Sequence, residues 1–208
     1  MKIIAALSDW FLSRRSRRAR ALPAGYLDVL YLHQMGLLSA RATGKSITNI
    51  TVEIVSRVGL PLKVTVGHGI YFVSRGNHQN MVTRAKYQFE LQPLDTKRIS
   101  IPAACINASL RIPGAGDRFV GVARVPENVR RFLEAAEGED AMVVQAGVWA
   151  LTDGYSRSII QQTLRRRRVP THDGVPLGAG NDDGPAISDA QIDRARAILD
   201  LLEIGHNL

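Results

Sequence analysis

The chain has 208 residues, 45% of them hydrophobic, a net charge of +8 and one cysteine. That length is enough for one domain with its own core, and the composition excludes global disorder. A single cysteine excludes an internal disulfide and a cysteine-based zinc site, and no stretch approaches the ~20 apolar residues of a membrane span.

The charge is unevenly placed. Lys2, Arg14, Arg15, Arg17, Arg18 and Arg20 face a single acid, Asp9, within the first 20 residues, and a second run occupies Arg165, Arg166, Arg167 and Arg168. Such clusters suit an anionic partner, a lipid surface or nucleic acid; solvated charge in an arginine-rich chain explains them too. Ile3, Ile4, Leu7, Trp10 and Phe11 recur at helical spacing ahead of the arginines. The apolar run Ile3 to Leu7 is short and the basic residues follow it, unlike a secretory leader. A cytoplasmic location is the expectation, and secretion if the start is mis-called. Pro23 and Gly25 break the helix, and Leu27, Leu30, Tyr31 and Leu37 mark a second short segment. Residues 1–45 thus read as a basic arm with short helices, separable at 1–20.

From about residue 46 the period becomes two. Ile50, Val52 and Ile54 alternate with polar neighbours, as do Leu62, Val64 and Val66 after Pro61, then Tyr87, Phe89 and Leu91, then Ile99 and Ile101. Short alternating runs separated by Gly, Pro and Asp describe an antiparallel sheet. Five or six strands fit between residues 47 and 123, with Phe119, Val120 and Val122 in the last. Residues 46–124 are expected to form a β-sandwich-like core.

Pro126 and Glu127 then open a helix with Val129, Phe132, Leu133 and Ala136 on one face, stopped by Gly138. A second helix is predicted from about Asp140 to Thr152, and a weaker one over 155–168. Residues 169–187 are rich in Pro, Gly and Asp and read as a loop. Ser188 and Gln191 form a capping box before a helix to about Glu203. Residues 125–208 should therefore be a helical part packed on the core, giving an α+β protein: an antiparallel β-sandwich-like core followed by helices.

Several motifs fall away on spacing. Thr43-Gly44-Lys45-Ser46 resembles the end of a phosphate loop, but Ser39 stands where the first glycine belongs and a strand pattern follows where a helix is needed. The five histidines have no ligand spacing, and Asp182-Asp183-Gly184 lacks the rest of a calcium loop, so no metal and no cofactor are expected. Cys105 has no nucleophile motif around it, and no acid/base constellation marks an ordinary enzyme. Asn77, Gln79 and Asn80 form a polar loop, a surface for binding or a turn with its own hydrogen bonds.

The most specific segment is Val144-Gln145-Ala146-Gly147-Val148-Trp149. It resembles the glutamine motif of bacterial internal-thioester domains, Thr-Gln-x-Ala-Ile-Trp. Gln145 and Trp149 match, Val148 replaces Ile, and Val144 and Gly147 depart from the pattern. Cys105 lies before the glutamine, in a β-rich region, as that family has it. The resemblance implies that the Cys105 thiol and the Gln145 side chain form a thioester, that Trp149, one helical turn on, shields it, and that an amine on a protein or surface partner captures it. Without the resemblance, Val144, Val148, Trp149 and Leu151 are core helix residues and Gln145 faces solvent. Two functions follow from the sequence: a binding module, covalent through Cys105 and Gln145, or a non-enzymatic β domain held to an anionic partner by its arginines.

Overall fold

A computed structural model describes residues 12–166 and 187–208. The stripe Ile3 to Phe11, Arg167, Arg168 and all but the last residue of the stretch 169–187 expected to be a loop lie outside these residues. In chain order the elements are helix α1 (12–20), β1 (Leu27–Asp28), α2 (Val29–Gln34), β2 (Leu38–Ser46), β3 (Asn49–Ser56), β4 (Leu62–Val66), β5 (Ile70–Ser74), β6 (Asn80–Thr83), β7 (Tyr87–Leu91), β8 (Thr96–Ile106), β9 (Arg118–Arg124), α3 (Glu127–Ala135), α4 (Ala141–Thr152), α5 (Arg157–Arg166) and α6 (Asp189–Leu201).

The protein is mixed α+β, with a β-rich core and helices around it. The core is a closed barrel, however, and not the two facing sheets of a sandwich. Six strands close in the order β2-β3-β8-β6-β5-β9, and β1-β4-β7 form a separate three-stranded sheet. Closure removes the edges that a sandwich would leave open. Alternation alone does not separate the two architectures, because both bury every second residue.

On β3, Ile50, Val52 and Ile54 are fully buried while the residues between them are partly exposed. Residues directly opposite across a ladder share a face. Ile50 faces Ile101, Met81 faces Cys105, and Phe72 faces Met81, so these side chains fill the barrel together. Each such burial stabilises by about 1.5–3 kcal/mol relative to exposure.

The sheet starts earlier than the sequence suggests. β2 begins at Leu38, inside the stretch read as arm, because its buried positions are Leu38, Ala40, Ala42 and then Gly44. Small inward residues leave no hydrophobic alternation to read. At Gly44 smallness is required: a Cβ there would sit 2.4 Å from the Gly114 carbonyl oxygen, where the 107–117 loop crosses the barrel end.

The described part of the arm rests on the body. Residues 12, 15, 16 and 19 of α1 are half-buried and residues 13, 14, 17, 18 and 20 exposed, a helical stripe. Ala19 and Leu22 pack on the core, and the Gly59 N–H donates to Ser16 Oγ at 3.2 Å.

The C-terminal helices follow their caps. Asp140 accepts from the Met142 N–H at 2.8 Å to start α4, and the Ser188–Gln191 capping box opens α6. α4 packs along β8 and against α3 and α6.

Candidate functional site

The site lies where β8 outruns its neighbour. β8 pairs with β3 from Val55↔Thr96 to Asn49↔Pro102, and the Ala103 N–H still reaches the Thr48 carbonyl oxygen at 2.8 Å. The chain then turns back at Ile47–Thr48. The next main-chain groups on that edge belong to Cys105, two residues further on, where β3 no longer supplies a partner.

Gln145 fills this gap. Its Oε1 accepts from the Cys105 N–H at 2.8 Å, and its Nε2 donates to the Cys105 carbonyl oxygen, also at 2.8 Å. The carboxamide thus pairs with β8 as a strand would. Both residues are buried. Two polar main-chain groups buried without partners would cost about 1–3 kcal/mol each, so the side chain that satisfies them is strongly placed.

The Gln145 motif is an entirely buried helix segment: Val143 through Ala150 are all shielded. Gln145 therefore does not face solvent, and its neighbours are core residues as their spacing suggests. Gly147 lets α3 approach, since a Cβ at this position would fall within 2.0 Å of Phe132 Cζ. At the far end of α4, Asp153 Oδ1 accepts from the Ala108 N–H at 2.9 Å, so the helix is tied to the same strand end twice.

The Cys105 thiol points into the barrel. Sγ lies 3.3 Å from Met81 Sδ and 3.7 Å from the Ile47 carbonyl oxygen. The glutamine thus holds the main chain of Cys105, while the sulfur sits on the inner face. Trp149 is fully buried, its ring centroid 6.4 Å from that of Tyr155, and its indole N–H has no hydrogen-bond partner among the described residues.

The other sequence candidates separate from this site. Asn80 Oδ1 accepts from the Ser74 N–H and its Nδ2 donates to Asn107 Oδ1, both at 2.8 Å; Gln79 Nε2 donates to the Leu110 carbonyl oxygen at 2.8 Å. Asn80 is no loop residue: it opens β6 and pairs with Ile106 of β8, and with Gln79 it stitches the barrel end. Thr43-Gly44-Lys45-Ser46 ends one strand of a hairpin and opens no helix. Among the described residues, no group of three or more His, Cys, Asp or Glu side chains could hold a metal ion. No helix among them is long and apolar enough to cross a membrane. Arg14, Arg17 and Arg18 are exposed on α1, Arg15 is half-buried, and Arg165 and Arg166 end α5.

The sequence reading misses one charged feature. On the outer face of β2, β3 and β8, Glu53 Oε1 accepts from Arg41 Nε at 2.7 Å and Oε2 from Arg98 Nε at 2.8 Å. With Val55 and Thr96 these residues line an open recess of about 510 Å³. Hydrogen bonds from Arg98 and Arg41 hold the Glu53 carboxyl below its usual range. Only the register, Arg41 opposite Glu53 opposite Arg98, reveals the triad.

No protein-family model, no curated protein and no solved structure matches this chain.

Proposed function

We propose that this protein is a binding module that captures its partner covalently, through an internal thioester between Cys105 and Gln145. The observation that supports this is the meeting of two residues 40 apart in sequence, with the Gln145 carboxamide laid directly on Cys105 in a buried setting.

The chemistry is an exchange of acyl partners. The Cys105 sulfur attacks the Gln145 side-chain carbon, the thiol proton and the NH2 group leave as ammonia, and a carbon–sulfur bond replaces the carbon–nitrogen bond. As sulfur adds, negative charge develops on Oε1, and the Cys105 N–H already donates to that oxygen at 2.8 Å. A donor in place before the charge develops is the arrangement that lowers such barriers. For attack, the thiol must turn from Met81 and Ile47 toward the carboxamide carbon. The resulting bond would lie under α4 beside Trp149, sheltered from hydrolysis. A primary amine on a partner then attacks the same carbon, forms an amide with Gln145 and returns the thiol to Cys105.

The test is capture of isotopically labelled methylamine followed by peptide mapping. The expected result is label on Gln145 alone, in equal amount with newly alkylatable Cys105, and none in Cys105→Ala. Absence of label on folded protein would sink the covalent reading and leave Gln145 as a clamp on β8.

A second reading rests on the exposed face of α1. Arg14, Arg17 and Arg18 point away from the docked stripe and suit an anionic surface, a lipid membrane or nucleic acid. Replacing the three by glutamine should abolish salt-sensitive binding to anionic vesicles or to a DNA duplex if either is the partner.

A further inference from the structure

We infer that the tip of the β2–β3 hairpin, Ser46 to Asn49, is the gate of the Cys105–Gln145 site, with Ile47 as its plug. The inference rests on the thioester reading and adds what governs access of water and amine to the bond.

Three observations converge on the tip. First, Ile47 reaches the sulfur: its carbonyl oxygen is 3.7 Å from Cys105 Sγ, and the residue is 5% exposed although it occupies a hairpin loop. Loop tips ordinarily lie in water.

Second, the loop has the wrong residues for a tight hairpin. Two-residue connections favour Asn-Gly or a similar pair, because their backbone needs left-handed angles that β-branched residues avoid. Here the pair is Ile47-Thr48, and neither residue has a positive φ. The register also shifts between Gly44 and Ser46. The loop is therefore shaped around the insertion of Ile47 and departs from the geometry that would suit its strands.

Third, apart from Ile47, which belongs to the hydrophobic core, the tip is held by polar groups. The Thr48 N–H donates to Ser46 Oγ at 3.2 Å, Asn49 Nδ2 donates to Thr48 Oγ1 at 3.1 Å, and the Thr48 carbonyl oxygen accepts from the Ala103 N–H at 2.8 Å. The opposite cover, α4, is fixed by β8, α3 and α6, with eight consecutive buried residues. Of these two covers the hairpin tip costs less to lift, as segments with few buried contacts open first.

The experiment reads the gate apart from the bond. Protein is treated with methylamine, which frees any thioester-bound thiol, and the rate of Cys105 alkylation by iodoacetamide is followed well below the melting temperature. Ile47→Ala should raise that rate roughly tenfold or more over wild type, and Ile47→Val should raise it by a smaller factor. Ile101→Ala, at another fully buried site on the same face of β8, should not raise it comparably. Equal rates for wild type and both Ile47 variants would overturn the gate. So would an equal rise in Ile101→Ala, which signals global opening. If Ile47→Ala does not fold, Ile47→Val against Ile101→Val carries the same comparison. Intact mass before methylamine decides separately whether the thioester formed. Where it has, the Ile47 variants should also lose it to water faster than wild type.

Discussion

On the wall formed by β2, β3 and the first half of β8, Glu53 sits between Arg41 and Arg98, whose side chains are 70% and 71% exposed. On the wall beneath α4, Gln145 sits on Cys105 with both residues buried. Each wall carries a polar group bonded twice across the ladder, and the surroundings decide what each is worth. The Glu53 side chain is only 13% exposed, but both arginines lie mostly in water, so each ion pair is screened from the arginine side and contributes little. Under α4 no water replaces a lost partner, so two neutral hydrogen bonds outweigh two ion pairs.

A large loss is expected where α4 meets α3. Gly147→Ala puts a Cβ into the Phe132 ring and should destabilise by about 3 kcal/mol, more than the helix propensity that alanine returns. Phe132→Leu in the same chain should recover part of the loss, read by urea denaturation.

Next comes the glutamine itself. Compared in a Cys105→Ala background, where the carboxamide stays intact, Gln145→Ala strands the residue 105 N–H and carbonyl and should cost about 2–4 kcal/mol, with faster hydrogen exchange at that amide. Exchange unchanged at that amide would show that the carboxamide does not hold the strand.

A smaller effect belongs to the loop at the barrel end. Asp117 accepts from both terminal nitrogens of Arg111, at 2.5 and 2.6 Å, and from the Gly114 N–H at 2.8 Å. The Arg111 hydrogen bonds, foremost, lower its pKa from 3.8 to about 2. A depressed carboxyl stabilises the fold above its unfolded pKa, and that contribution fades as pH falls through the folded value. Wild type should therefore lose about 1–2 kcal/mol between pH 4 and pH 2 from this group, a loss absent in Asp117→Asn.

The smallest effect is on the open wall. Glu53→Gln should change stability by under about 0.5 kcal/mol at moderate salt. A loss as large as that of Gln145→Ala would overturn the contrast between the walls.

The sequence makes the helices and most strands legible because their apolar periods are strong; the Ser188–Gln191 box and the Asp140 start are visible in the residue order itself. It makes the Cys105–Gln145 pair legible through a six-residue motif. It hides β2, whose inward residues are too small to show a pattern, and it hides closure, because strand order depends on contacts far apart in the chain. Burial of Gln145 is hidden for a related reason: a lone polar residue in an apolar helix reads as the exposed side until the unpaired edge of β8 is known. The Arg41–Glu53–Arg98 triad appears only once register is fixed.

Whether Cys105 and Gln145 form one covalent unit is read from the intact mass of freshly purified, untreated protein. A closed thioester gives a mass short of the sequence mass by one ammonia, with the deficit absent in both Cys105→Ala and Gln145→Ala. The full sequence mass in folded wild-type protein, with a thiol that alkylates at once on unfolding, would contradict it.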